Sequence, residues 1–218
     1  VDALSDLCFV TEKSGIKNLR KEGIEEYKIH FVGNVMIDTL VSQMNEIDKK
    51  PARKETYCVV TLHRPSNVDE KSKLEHILTF LRKMPIRVVF PMHPRTREHI
   101  SQFGLDALLN DIEILPPQGY REFMALVKHA QFVLTDSGGI QEETTYLQVP
   151  CLTLRKNTER PVTVSDGTNI LVGEDITQAA DHIERLLQGE EKVGNIPELW
   201  DGKAAERICT VLQRELHC

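Results

Sequence analysis

Short β-rich runs alternate with segments whose apolar residues recur every three or four positions, and this alternation is the strongest signal in the chain. Strand-like runs fall at 57–62, 87–90, 112–115, 132–135, 151–154 and 169–172. Between them, Leu74, Ile77, Leu78 and Leu81 form a stripe at helical spacing, as do Tyr120, Phe123, Val127 and Ala130. Ile176, Ala179, Ala180, Ile183, Leu186 and Leu187 form a third stripe. Strands separated by amphipathic helices are joined by right-handed crossovers and therefore lie parallel. The pattern predicts an α/β fold, a doubly wound parallel sheet of the Rossmann-like kind.

Residues 1–45 repeat the same grammar on a smaller scale. A strand at 7–11 precedes a helix at 14–22 closed by Gly23, and a second strand at 29–32 leads through Gly33 and Asn34 into another helix. Residues 46–55 are charged, contain Pro51 and lack periodicity, which reads as a linker. Two strands alone bury a sheet face poorly. Residues 1–45 are therefore expected to be the remnant of a neighbouring domain, 56–200 the main Rossmann-like domain, and 201–218 a C-terminal helix. That helix carries Ala205, Ile208, Val211 and Leu212 on one face. The chain starts at Val1, and residues 1–6 read like the middle of a longer sequence, so further residues are expected upstream.

Composition narrows the classes. With 40% hydrophobic and 28% charged residues, the chain reads as an ordinary soluble globular protein. A net charge of −6 without a basic stripe argues against a nucleic-acid partner. No apolar run approaches the roughly 20 residues that span a bilayer, and no signal peptide is visible, so no membrane partner is expected. The cysteines at positions 8, 58, 151, 209 and 218 are odd in number and include no CxxC pair. Their spacing fits neither a disulfide framework nor zinc, and a reducing cytoplasm is the natural location.

Ligands of open parallel sheets bind beyond the carboxyl ends of the strands. Five loops expected there are rich in polar residues: His63-Arg64-Pro65-Ser66-Asn67, His93-Pro94-Arg95, Pro117-Gln118-Gly119-Tyr120, Asp136-Ser137-Gly138-Gly139, and Arg155 through Arg160. The sharpest signal is Thr135-Asp136-Ser137-Gly138-Gly139-Ile140-Gln141-Glu142-Glu143, where a buried strand stops, a turn follows and a helix begins. Free N–H groups at such a helix start suit a phosphate, with the dipole adding about 0.3–1 kcal/mol. The same residues also suit a plain capped helix start, with Asp136 or Ser137 as the cap. The string is neither GxGxxG nor a Walker loop. Glu143 is placed to reach a ribose, Arg160 to supply a fixed positive charge, and His63 either to donate to a phosphate, to move a proton, or to serve as a structural donor.

The runs Leu115-Pro116-Pro117-Gln118-Gly119-Tyr120, Leu134 through Glu143 and Asn157-Thr158-Glu159-Arg160-Pro161 closely resemble the UDP-N-acetylglucosamine 2-epimerase family. So do Val32-Gly33-Asn34, Thr61-Leu62-His63-Arg64, Pro91-Met92-His93-Pro94 and Asp201-Gly202-Lys203-Ala204-Ala205-Glu206-Arg207. The resemblance implies the C-terminal half of a glycosyltransferase-B-type fold, with the active site between two Rossmann-like domains. It implies that Ser137, Gly138 and Gly139 hold a diphosphate and Glu143 a ribose. Gln118 and Phe123 would flank uracil, with Arg160 and His63, the candidate catalytic residue, facing the phosphates and sugar. His93 matches a position that contacts a second, regulatory substrate molecule in some bacterial members. The loop His63-Arg64-Pro65-Ser66-Asn67 departs from many members, which carry a second arginine and a glutamate after the His-Arg pair.

The implied reaction converts UDP-GlcNAc to UDP-ManNAc by eliminating UDP across C1 and C2 and adding it back, in the service of polysaccharide biosynthesis. It calls for no cofactor and no metal. The acids credited with proton transfer lie in the family's N-terminal domain, so this chain alone is expected to be inactive, and family members are expected to be homodimers. A glycosyltransferase of the same fold and a non-catalytic UDP-sugar-binding module remain as alternatives.

Overall fold

The computed structural model describes residues 2–190 and 194–216; Val1 and Cys218 lie outside them. Its main element is a six-stranded parallel sheet. The strands, in chain order, are β3 (Tyr57–Thr61), β4 (Arg87–Pro91), β5 (Glu113–Leu115), β6 (Val133–Thr135), β7 (Cys151–Thr153) and β8 (Asn169–Leu171), and their spatial order is β5-β4-β3-β6-β7-β8. The chain thus builds outward from β3 to β5, returns to lay β6 against β3, and builds outward the other way. The doubly wound Rossmann-like sheet expected from the sequence is the one observed.

Each face of the sheet has its own core, because successive side chains of a strand point to opposite sides. Cys58, Val60 and Leu62 face α4 (Lys71–Arg82) and α9 (Ala179–Gln188). Leu74, Ile77, Leu78 and Leu81 of α4 are all at most 1% exposed there. Tyr57 and Val59 face the other way, against Leu40 and Ile47 of α2 (Val35–Asp48), Met124 and Val127 of α6 (Tyr120–Lys128), and Ile140 of α7 (Gly139–Leu147). The middle strands are hydrophobic throughout because both faces are covered.

A separate two-stranded parallel sheet pairs β1 (Cys8–Val10) with β2 (Ile29–Phe31), flanked by α1 (Lys13–Lys21). Helix α2 follows and runs to Asp48, so residues 46–48, expected as linker, form its last turn. The buried Ile47 anchors that turn, while charged Glu46 and Asp48 lie on its outer side.

The C-terminal helix α10 (Ala204–Glu215) returns to this region. Asp38 of α2 caps it, accepting from the N–H of Ala204 (3.0 Å) and Ala205 (2.7 Å). Trp200 Nε1 donates to the Thr11 carbonyl (3.0 Å), and Arg207 Nη1 to that of Val32 (3.1 Å). Ala204, rather than the expected Ala205, is the buried alanine of this helix. At Gly33, φ is +88° and an added Cβ would lie 2.1 Å from the Leu199 carbonyl oxygen, so no other residue fits this crossing.

Candidate functional site

The winding direction reverses between β3 and β6, the position where such sheets open a crevice. Thr61 and Thr135 pair there, with their hydroxyls 2.7 Å apart. Just beyond, Asp136 is completely buried. Its carboxylate accepts from the backbone N–H of His63 (3.1 Å) and Arg64 (2.9 Å) and from Asn67 Nδ2 (3.1 Å). His63 Nδ1 lies 3.1 Å from Asp136 Oδ1. Burial pushes the Asp136 carboxyl up, but the His63, Arg64 and Asn67 hydrogen bonds outweigh it and hold the group below its ordinary value. The same bond raises the His63 imidazole above its ordinary value, against partial burial and the nearby Arg64. With Nδ1 held, Nε2 is the nitrogen His63 offers to the cleft it lines.

At the start of α7, no side chain caps the helix. Asp136 is turned to His63 and Arg64, and the Ser137 N–H donates to Thr135 Oγ1 (3.0 Å), so the capped-start alternative fails. Neither glycine of the turn is required by the protein's own packing. A Cβ on Gly139 would meet nothing within 4 Å, and one on Gly138 would meet only Arg155 Nη1 and Glu159 Oε2, both at 3.9 Å. Neither has a positive φ. A helix tip that is uncapped and bare of side chains is the geometry by which backbone approaches an anion. Gln141 braces the tip: its Nε2 donates to the Ser137 carbonyl (3.0 Å), and its Oε1 accepts from Thr158 (2.6 Å) and Asn169 (3.0 Å).

Two arginine–glutamate pairs adjoin the tip. Arg160 Nε lies 2.9 Å from Glu142 Oε1, the same oxygen that accepts from Asn34 Nδ2 at 2.8 Å. Arg155, only 7% exposed, donates from Nη1 (2.9 Å) and Nη2 (2.6 Å) to the two oxygens of Glu159. Glu143 is 5% exposed. Burial pushes its carboxyl up to about 7, offset in part by a hydrogen bond from Tyr120 and reinforced by Glu142.

His63, His93, Gln118, Phe123 and Ser137 line one cleft of about 230 Å³. The His63 and His93 rings lie 5.7 Å apart, and His93 Nδ1 accepts from the Arg95 N–H (3.2 Å), capping its own helix. Gln118 turns its amide to the Pro116 carbonyl (2.7 Å). Gly138, Gly139, Glu143 and Arg160 are not walls of that cleft; they belong to the adjoining tip and the flank of α7. A larger groove of about 570 Å³ lies between α4 and α9, lined by Phe80, Met84, Ile183 and Leu187. Its walls are apolar and its charges, Lys83 and Glu184, are exposed, so size alone does not mark the chemistry.

In the sequence Asp136 reads only as a helix cap, and no role is legible for Asn67, Glu142, Asn34 or Glu159. The available signal was positional: Asp136 follows β6 at the level where His63 follows β3, but their partnership spans 73 residues.

The fold is a Rossmann-like α/β fold, and the solved structures it resembles are of the glycosyltransferase-B type. The family model described as UDP-N-acetylglucosamine 2-epimerase matches residues 1–213, and the chain belongs to that family. It is 38% identical to the UDP-N-acetylglucosamine 2-epimerase of Methanocaldococcus jannaschii, over 97% of this chain and 62% of that protein. It is 37% identical to the UDP-2,3-diacetamido-2,3-dideoxy-D-glucuronate 2-epimerase of Pseudomonas aeruginosa, over 79% of this chain and 50% of that one. The crystal structure of the M. jannaschii enzyme in complex with UDP-GlcNAc and UDP superposes with a TM-score of 0.85, covering 98% of this chain and 62% of the other. The chain therefore spans under two thirds of the length of these relatives.

Proposed function

We propose that this chain forms the UDP-holding wall of a UDP-N-acetylglucosamine 2-epimerase, which converts UDP-GlcNAc to UDP-ManNAc in the cytoplasm for polysaccharide biosynthesis. The observation that carries the reading is the uncapped Ser137-Gly138-Gly139 tip beside the His63–Asp136 pair at the sheet's switch point. In this reading the tip N–H groups and Arg160 hold the diphosphate, Glu143 accepts from the ribose, and Gln118 and Phe123 flank the uracil. Residues 56–200 form the nucleotide-holding domain, joined by α2, whose Leu40 and Ile47 pack on its sheet, and the β1–β2 segment ahead of α2 belongs with a neighbouring one.

The chemistry follows from these roles. Removing the C2 proton while the C1–O bond breaks sends the bonding electrons onto the diphosphate, leaving the 2-acetamidoglucal; UDP then adds back as C2 takes a proton on its other face. The tip dipole and a His63 imidazolium stabilise the charge that develops on the departing diphosphate. The cleft walls carry two histidines and no carboxylate, so the C2 base is expected from the other domain of the family's fold. This chain alone holds the nucleotide without turning it over.

Proton NMR of UDP-GlcNAc in deuterated water tests this division. Uracil and ribose signals should respond to the chain while the C2 proton persists for hours. Exchange of that proton, abolished by His63→Ala, would put the base in this chain. The P. aeruginosa relative supports a second reading, a 2-epimerase for another 2-acetamido UDP-sugar; competition between the two nucleotide sugars separates them.

A further inference from the structure

The two arginine–glutamate pairs beside the helix tip bury opposite partners. In the Arg160–Glu142 pair the carboxylate is the fixed partner, with a side chain 4% exposed against 40% for the arginine. In the Arg155–Glu159 pair the arginine is fixed at 7% and the glutamate is 59% exposed. A buried guanidinium requires an anion beside it, because an uncompensated buried charge is strongly unfavourable. Glu159 supplies that anion from a solvent-facing loop, and Arg155 holds its carboxyl down at about 2. The pair flanks the bare Gly138 position of the tip: a Cβ there would be 3.9 Å from both Arg155 Nη1 and Glu159 Oε2.

We propose that Glu159 is a built-in counter-anion, a carboxylate that neutralises Arg155 in the nucleotide-free chain and is displaced by the incoming diphosphate. The inference rests on the diphosphate assignment above and extends it to a residue that sets affinity. A carboxylate on this flank repels a phosphate seated on the tip. Glu159 is free to swing into water, whereas Arg155 is not, and the guanidinium it leaves is a two-pronged donor suited to phosphate oxygens. Exchange of one anion for another keeps the buried charge compensated at every stage and holds nucleotide affinity down, which favours release.

Titration calorimetry of the 218-residue chain with UDP and with uridine, for wild type, Glu159→Gln and Glu159→Ala, tests the proposal. Both variants should bind UDP about tenfold more tightly, the effect of removing one like charge close to a phosphate near the surface, and the gain should shrink in high salt. Uridine binding should not change. Thermal melts add a readout that a merely structural residue would not give: the variants should melt lower without nucleotide yet gain more from saturating UDP. UDP binding that is unchanged or weaker in either folded variant overturns the proposal and makes Glu159 a support for Arg155. A wild-type chain that fails to prefer UDP over uridine removes the diphosphate site itself, and this inference with it.

Discussion

Helices α4 and α7 pack on opposite faces of the same sheet, but they bury opposite chemistry. The inward face of α4 is hydrocarbon: Leu74, Ile77, Leu78 and Leu81, each at most 1% exposed. Helix α7 buries Gln141, Glu142, Glu143, Thr144 and Thr145 in succession, none more than 5% exposed. Burying a leucine stabilises the fold by about 1.5–3 kcal/mol. Burying a polar group costs stability unless partners are supplied, and four of the five have them: Asn34 and Arg160 for Glu142, Tyr120 for Glu143, Thr158 and Asn169 for Gln141, and the Ile140 carbonyl for Thr144, while the buried Thr145 hydroxyl has no hydrogen-bond partner among the described residues. A fold satisfied with α4's composition has no packing reason to build α7. The difference locates the chemistry better than cavity size does, since the larger groove lies beside α4.

The largest expected effect breaks the α4 side. Leu78→Ala should lower stability by about 2–5 kcal/mol, measured by denaturant unfolding, because it opens a cavity in a packed stripe. UDP affinity of the folded variant should be unchanged.

On the α7 side, Glu143→Ala should weaken UDP binding by about 1–3 kcal/mol through lost hydrogen bonds to the ribose. A loss of melting temperature with affinity intact would reduce Glu143 to a structural residue.

The raised Glu143 carboxyl gives a pH signature. The folded chain binds a proton there between its ordinary value of 4.5 and about 7, so this group's contribution to stability declines as pH rises through that window. Accepting ribose hydroxyls requires the carboxylate, so binding should release a proton and strengthen as pH rises toward 7. His63 runs the other way: its imidazole is raised by Asp136, so the pair's stabilisation is complete below 6.5 and is lost as pH climbs through the folded value, taking the charge that faces the phosphates with it. Calorimetry across pH with UDP-GlcNAc should show the rising limb flattened in Glu143→Gln and the falling limb flattened in His63→Gln.

The smallest effect is at the tip. Gly139→Ala has open space for its Cβ and should stabilise the helix start by about 0.5–1 kcal/mol, while weakening UDP binding by obstructing the approach of phosphate. Unchanged affinity would contradict close backbone approach.

Much of this was legible in the residue pattern. The six strands of the main sheet and the α4 stripe follow from local periodicity, and the loops that gather at the switch point follow from the rule that ligands bind past strand ends. Three things were not. Residues 46–48 looked like linker because charge hides the last turn of α2, whose buried contact is the single Ile47. Ala204 rather than Ala205 is the buried alanine of α10, although Ile208, Val211 and Leu212 are half-buried as expected, because the helix start is fixed by a cap, Asp38, from 166 residues away. Asp136 looked like a helix cap, and only the adjacency of β3 and β6 hands its carboxylate to His63. Each miss is a long-range partnership, which periodicity does not encode.

The central claim is that the bare tip of α7, with its neighbouring cations, is a diphosphate site. Titrating the 218-residue chain with UDP and with uridine tests it most directly. The account predicts a weak but definite UDP complex, about −4 to −6 kcal/mol, with uridine bound at least about tenfold more weakly, each factor of ten being about 1.4 kcal/mol. Equal affinity for the two would contradict it.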